Sequence, residues 1–327
     1  MYIEKRRILW YNTQDPLFFV RCQTLSYFVQ FLLILALVVL GCMKTTLQSA
    51  MGKRYVRCAQ DSVLFNILFF VSISLSVTII FGIGRITPAL ILWAAAVAVF
   101  TVMFQMLYAM ALSMGPVSLT VLIINCNVFI CTIASTIMFR EQVYLPQLAA
   151  IGFLVISMLL SLKKSADGKG VSTRWLILSL LAMTGAGVST TIQKAFSVSS
   201  SASADANTGN TFLVVMYLIG ALILAVIYFV SAYTGKKSKS TAGIRPGMVV
   251  FGLAMGVVMC IYQKVNIISM ANIDGAFHYP TYTGLASVVM SLIGILFFRD
   301  QLNSRQKWGI VCGIVSVVLM NVRWMPL

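Results

Sequence analysis

Long apolar stretches alternate with short polar segments along the whole chain. A membrane-spanning helix needs about 20 mostly apolar residues, and the stretches of this kind predict ten such helices. They cover 27–48, 62–82, 86–113, 116–139 and 145–162 in the first half, and 174–198, 211–233, 247–270, 273–298 and 305–323 in the second. The pattern therefore predicts an all-α integral membrane protein with ten transmembrane helices.

Short motifs recur in the same order in the two halves. Phe139-Arg140-Glu141 returns as Phe298-Arg299-Asp300, 159 residues later, and Thr45-Thr46-Leu47-Gln48 returns as Thr190-Thr191-Ile192-Gln193. Single residues that match in the same way are Pro88 and Pro246, Gln105 and Gln263, and Ser157 and Ser316. Because each half holds an odd number of helices, the second half must enter the membrane from the opposite side. The halves thus predict two inverted five-helix repeats, the common build of secondary transporters.

This repeat divides the chain into five segments. A leader or membrane-surface segment covers 1–26, the two repeats cover 27–162 and 174–323, a polar linker covers 163–173, and a short tail covers 324–327. No loop is long enough for a soluble catalytic domain. The sequence holds one histidine and no GxxxxGK[ST] phosphate loop. We therefore expect no enzymatic activity, no cofactor and no metal site.

Charge is sparse but strongly biased towards lysine and arginine. Charged residues make up 10% of the chain and its net charge is +16, whereas a soluble domain carries about 25% charged residues. The basic residues lie mostly in short loops beside helix ends, where they contact lipid headgroups. Lipids rather than nucleic acid are therefore the expected partners. With cytoplasmic termini, cytoplasmic segments would hold seven basic residues and the opposite loops fourteen, which conflicts with the positive-inside rule.

Two matching polar faces are candidates for the lining of a solute cavity, since ionisable groups within a membrane are costly and often functional. Lys44, Thr45 and Gln48 share one helical face, and Thr190 and Gln193 occupy the corresponding face in the second half. Two such faces near a two-fold axis could line a cavity. Alternatively, Lys44 lies near enough to its predicted helix end to snorkel to the headgroups.

A second pair of matching faces carries amides and phenols. Gln105 and Tyr108 share one face of 86–113, and Tyr262, Gln263 and Asn266 lie on 247–270. Such groups can orient a solute through hydrogen bonds in an apolar cavity. They can equally join helices without touching a ligand.

The fourth predicted helix of each half also carries polar groups. Asn125 lies midway along 116–139, whereas Asn127 falls on a different face and is expected to pack. His278 and Tyr282 are one helical turn apart. His278 could carry a proton near neutral pH, or could simply be hydrogen-bonded within the bundle.

Other residues have structural or gating interpretations. Glu141 and Asp300 follow helix ends, where they could cap a helix, pair with arginine or serve as gate charges on opposite membrane faces. Lys264 points away from the polar face of its helix and is expected to snorkel or to pair within the bundle. Gly252-x-x-x-Gly256 and Gly309-x-x-x-Gly313 permit close helix approach. The latter pair could form a homodimer face or pack within the chain.

The stretch 108–116, Tyr-Ala-Met-Ala-Leu-Ser-Met-Gly-Pro, is followed by an apolar helix, Phe-Arg-Glu and a Gly-bearing helix. This order resembles the EamA-type unit of the drug/metabolite transporter superfamily, with a second copy from about Gln263 to Asn321. The resemblance implies ten helices in two inverted halves, a central solute cavity and cytoplasmic termini. It also implies that Glu141 and Asp300 match the family's acidic position. The first-helix glutamate of the small multidrug members has no counterpart here.

These observations predict a secondary transporter of a small organic metabolite in the cell membrane. It would work by alternating access through a midplane cavity between the repeats. The lysines and the lack of buried carboxylates favour an anionic or zwitterionic solute. Multidrug efflux is one alternative, because the tyrosines could accept flat hydrophobic molecules. A non-transporting membrane scaffold or accessory subunit is the alternative from another class.

Overall fold

The computed structural model describes residues 27–55, 59–139, 145–161, 172–199, 207–233, 246–273, 275–297 and 303–321. Within these ranges every regular element is an α-helix. The helices in chain order are α1 (Tyr27–Tyr55), α2 (Ala59–Phe81), α3 (Pro88–Met114), α4 (Val117–Asn125), α5 (Val128–Phe139), α6 (Leu145–Ser161), α7 (Thr173–Ser197), α8 (Thr208–Tyr233), α9 (Pro246–Asn272), α10 (Gly275–Leu296) and α11 (Ser304–Asn321).

Among the described residues, seven segments are long and apolar enough to cross a bilayer. They are Phe28–Gly52, Gln60–Phe81, Pro88–Met114, Leu119–Met138, Thr173–Ser197, Thr208–Ser231 and Pro246–Asn272. Helices satisfy their own backbone hydrogen bonds, which lipid cannot do for them. The chain is therefore an all-helical, multi-pass membrane protein.

The predicted helices coincide with observed ones, with two differences. The first predicted helix ends at 48, whereas α1 continues to Tyr55. The prediction of one continuous helix over 116–139 is wrong, because a turn at Cys126 and Asn127 separates α4 from α5. The three predicted helices outside the seven apolar spans coincide with α6, α10 and α11.

Local sequence signals explain where α3 begins and ends. The Thr87 side chain caps the helix by accepting a hydrogen bond from the Leu90 backbone N–H at 3.3 Å, and Pro88 occupies the first turn, where it needs no donor. The helix ends at Gly115, which abuts the Trp175 indole ring. The Trp175 indole donates to the Thr120 hydroxyl at 2.9 Å. The junction of α3 and α4 is thereby fixed against α7.

The helices pack mostly against helices from the other half of the sequence. The most extensive contacts join α6 to α11, α3 to α7, α2 to α8, α2 to α9, α1 to α9 and α3 to α8. The largest apolar core lies among α2, α3, α8 and α9, around residues such as Phe69, Phe70 and Tyr217. The Phe70 and Tyr217 rings meet edge to face at 5.2 Å.

The glycine pairs named from the sequence lie in contacts within the chain. A Cβ at Gly252 would touch Leu68, and one at Gly256 would collide with the Ser72 side chain, so both glycines lie close to α2. The Gly309 carbonyl accepts a hydrogen bond from Ser157 at 2.7 Å. Intramolecular packing therefore accounts for both motifs.

Substitution of Gly256 tests the close approach of α2 and α9. We expect Gly256→Val to lower the free energy of unfolding by about 1–3 kcal/mol, because the added side chain must displace Ser72. Gly152→Val is the matched control, since a Cβ at Gly152 meets nothing within 4 Å. Thermal unfolding of both variants in one detergent measures the difference. Equal stability of the two variants would contradict this packing.

Candidate cavity between the two halves of the chain

A cavity of about 160 Å³ lies among helices from both halves of the sequence. Its lining comes from α1, α3, α4, α7, α8, α9 and α10, together with the turn between α4 and α5. The described lining residues mix aromatic rings, amides, hydroxyls, one lysine and one histidine, and they include no carboxylate. A cavity with these groups can hold a small organic molecule and orient it by a few polar contacts.

Twelve of the thirteen residues predicted to line a cavity do line this one. They are Lys44, Thr45, Gln105, Tyr108, Asn125, Thr190, Gln193, Tyr262, Gln263, Asn266, His278 and Tyr282. The thirteenth, Gln48, is fully buried behind the lining and donates to the Gln105 side-chain oxygen at 3.1 Å. Contact of these side chains with a solute stays a prediction.

Lys44 is buried, with 7% of its surface exposed. Its Nζ lies over the Phe104 ring at 5.4 Å and over the Tyr108 ring at 5.2 Å. Because α1 runs to Tyr55, Lys44 lies about three turns before the helix end rather than near it. Its burial and its place in the lining favour the cavity role, and snorkelling to the headgroups stays the alternative.

The predicted amides take part in hydrogen bonds, both between helices and along α9. Gln263 Nε2 donates to the Tyr217 hydroxyl at 2.7 Å, which joins α9 to α8. Asn266 Nδ2 approaches Gln263 Oε1 at 3.5 Å, and Gln193 Nε2 lies 3.6 Å from the Met216 sulfur. The helix-joining interpretation is confirmed for Gln263 and Gln193, whereas the Asn266 bond lies within α9. All three amides also border the cavity.

His278 is 1% exposed and lies in a small network. Its Nδ1 is 2.9 Å from the Ser269 hydroxyl, in a hydrogen bond that joins α10 to α9. Its ring lies nearly parallel to that of Tyr282, with centroids 6.4 Å apart, and meets Tyr279 edge to face at 5.2 Å. The expectation that the histidine is hydrogen-bonded within the bundle is confirmed, and a role in proton coupling stays a prediction.

Two tyrosines meet α1 at a glycine on the cavity wall. The Tyr262 and Tyr282 rings lie 6.1 Å apart. A Cβ added at Gly41 would lie 2.7 Å from the Tyr282 hydroxyl and 3.5 Å from the Tyr262 ring. The absence of a side chain at Gly41 therefore lets α9 and α10 present both phenols to the cavity beside Lys44.

The turn between α4 and α5 changes which asparagines reach the cavity. We predicted that Asn125 and Asn127 lie on different faces of one helix, with Asn127 packed elsewhere. Both residues line the cavity. The 100° rotation per residue that separates them in a continuous helix does not apply across the turn that contains Cys126.

Residues beyond the thirteen candidates also lie in and beside the lining. Thr101 and Ser189, which line the cavity, share a hydrogen bond of 2.7 Å between α3 and α7. Lys194 is 5% exposed and lies with its Nζ 5.7 Å from the Tyr279 ring centre. A charged residue within an apolar helix was the available signal for Lys194.

The remaining predicted charges lie elsewhere. Lys264 Nζ donates to the Asn210 side-chain oxygen at 2.6 Å, so the expected pairing within the bundle is confirmed. Glu141 and Asp300, the predicted interfacial or gate charges, lie outside the described residues.

Comparison with known proteins supports transport in general terms. The multidrug resistance protein EbrA of Bacillus licheniformis is 28% identical over 117 residues, which cover 35% of this chain and 96% of that protein. One solved crystal structure shares the fold with a TM-score of 0.60 and 12% identity, over 90% of this chain and 96% of that chain. No protein-family model matches. Together with the apolar helices, the distant relative indicates a membrane transporter.

A double-mutant cycle tests the contact between α1 and the two tyrosines. We expect Gly41→Ala to destabilise the protein by about 1–3 kcal/mol, because its methyl group crowds the Tyr282 hydroxyl. In the Tyr282→Phe background the same substitution should be milder, with a coupling of at least about 0.5 kcal/mol. Thermal unfolding of the four proteins measures the coupling.

Gly52→Ala is the control on the same helix, since its methyl group would meet only the Ala109 carbonyl at an ordinary 3.9 Å. Additive effects of Gly41→Ala and Tyr282→Phe would show that the hydroxyl does not rest against α1.

Proposed function

We propose that the protein is a secondary transporter that moves a small organic metabolite by alternating access. The observation that carries this proposal is a polar, aromatic-lined cavity inside an otherwise apolar helical bundle, with its walls drawn from both halves of the chain. Polar groups within membrane helices are expensive unless they are paired or used. In a cavity between two halves that rock against each other, these polar groups would bind the solute during transport.

Paired contacts support the further proposal of two inverted repeats. Ser157 on α6 donates to the Gly309 carbonyl on α11 at 2.7 Å, and Ser316 on α11 donates to the Ala150 carbonyl on α6 at 2.6 Å. Adding 159 residues to Ser157 and Ala150 gives Ser316 and Gly309, so each bond becomes the other when the halves are exchanged. A two-fold axis between α6 and α11 accounts for this reciprocity.

The contacts between helices also correspond when the two halves of the chain are exchanged. If α1 to α3 correspond to α7 to α9, the contact of α1 with α9 becomes that of α7 with α3, and both are extensive. The contact of α2 with α9 likewise becomes that of α8 with α3. In this proposal α4 and α5 together form one span, and α6, α10 and α11 complete ten.

We assign this arrangement to the EamA-like branch of the drug/metabolite transporter superfamily. The assignment is supported by the motif at 108–116 and by the ten helices that the sequence predicts. The match to a short multidrug resistance protein supports it too. The proposed activity involves no chemical step and no cofactor, and its partners are a solute and the lipids of the cell membrane.

Multidrug efflux is the second candidate, favoured by the name of the EbrA relative and by the aromatic lining. Tyr108, Tyr262 and Tyr282 could stack on flat hydrophobic molecules. The two candidates differ in selectivity. A ligand at 100 times its dissociation constant raises stability by about 2.7 kcal/mol, so a thermal-stability screen against unrelated dyes and against metabolites separates them. Shifts with many dyes favour multidrug efflux, and shifts with one class of metabolite favour a selective carrier.

Inverted repeats predict the sidedness of the linker between the halves. In a variant without the seven native cysteines, Ala166→Cys and Met325→Cys should react with a membrane-impermeant maleimide from opposite sides, because five spans separate them. Tyr2→Cys should react from the same side as Met325→Cys, which serves as the control. Labelling of Ala166→Cys and Met325→Cys from one side would refute the ten-span inverted arrangement.

Filling the cavity should abolish transport. Ala186 lines the cavity, and we expect Ala186→Phe to reduce counterflow in proteoliposomes at least tenfold for any compound that the stability screen selects, because the ring occupies solute space. Ala254→Phe adds the same ring to an exposed position on α9 and should transport normally. Gel filtration and thermal unfolding check that both variants are folded. Normal counterflow by folded Ala186→Phe would contradict a route through this cavity.

A further inference from the structure

The charge balance of the cavity points to one class of ligand. The described lining residues include one lysine, Lys44, and no carboxylate. Its ammonium contacts the faces of Phe104 and Tyr108. Within the part of the chain that the structure describes, it makes no ion pair and no hydrogen bond. A buried ammonium has three donors, and cation–π contact satisfies it less well than an anion would.

Two further lysines within the helices, Lys264 and Lys194, differ from Lys44 in this respect. Lys264 donates to the Asn210 side chain at 2.6 Å and lies over the Phe81 ring, away from the cavity lining. Lys194 packs against Tyr279 and is not part of the lining either. Among its described lining residues the cavity therefore presents a single ammonium, which matches one negative charge rather than two or three.

The aromatic side chains around Lys44 can stack on a planar ligand. The Phe104 and Tyr108 rings stack at 5.3 Å on one side of the cavity. The His278 and Tyr282 rings lie nearly parallel, with 10° between their planes. Methionines complete the apolar part of the lining, and their flexible thioethers adapt to ring edges. These methionines are Met259, Met270 and Met290.

We propose that the ligand of this cavity is a monovalent organic acid with a planar, unsaturated body. Its carboxylate binds the Lys44 ammonium, and its ring lies among Tyr108, Tyr262 and Tyr282. An organic cation of the same shape is disfavoured, because it would meet Lys44 with no described carboxylate in the lining to balance the repulsion. This inference rests on the proposed transport function and names the substrate class of the same cavity.

The test compares ligands that share a ring and differ in charge. Benzoate, phenylacetate and indole-3-acetate are measured against their neutral amides and against benzyltrimethylammonium, by equilibrium binding to the full-length protein in detergent. We expect at least one of the acids to bind at least tenfold more tightly than its amide, since a charge-assisted hydrogen bond contributes on this scale. We expect no binding of the cation.

Variants then place the effect at Lys44. Lys44→Met keeps the length of the side chain and should weaken binding of that acid at least tenfold, with little effect on its amide. Lys44→Arg keeps the charge and should retain most of the affinity. Lys264→Met removes a half-buried lysine outside the lining and should bind the acid normally. Gel filtration and thermal unfolding establish that each variant is folded.

The outcomes separate this inference from the transport proposal. Binding and counterflow of the amides or the cation, without the acids, would overturn the anion assignment and leave transport standing. Acid binding that folded Lys44→Met retains would likewise overturn it. If none of the seven compounds bound, the planar-acid assignment would be overturned. The wider metabolite screen and the Ala186→Phe variant would then test the proposal of transport.

Discussion

A polar group inside a membrane protein must find its partner within the protein, because lipid offers none. This constraint accounts for the bonds that hold the bundle together. The Thr101 and Ser189 hydroxyls pair between α3 and α7, and Ser157 and Ser316 each donate to a carbonyl of the facing helix. Each of these bonds joins one half of the chain to the other. These bonds between the halves form a polar seam beside the apolar core that α2, α3, α8 and α9 share.

The cavity lies where this seam is incomplete. Gln105 and Gln263 turn part of their hydrogen-bonding capacity towards α1 and α8, yet both still border the open space. The glycine at 41 leaves room for the Tyr282 hydroxyl beside α1. One set of residues thus joins the helices and also shapes the space between them. The two roles that the sequence left as alternatives for these amides are compatible.

A helix break and a buried lysine give the cavity its particular chemistry. In a continuous helix Asn125 and Asn127 would diverge by about 200°, and the turn at Cys126 brings both to the lining. Lys44 is held over two aromatic rings. In α1, which extends from Tyr27 to Tyr55, no carboxylate accompanies it.

The sequence by itself determined the helical class, the position of nearly every helix and most of the polar residues of the cavity lining, because apolar stretches of about 20 residues and the spacing of polar residues are local properties. Its matched faces at Thr45 and Thr190 do border one space. Tertiary structure decided the break between α4 and α5, the placement of Gln48 behind the lining, and the burial of Lys44 and Lys194. These depend on which helices face each other, and no regular spacing along one helix records the contacts it makes with another helix.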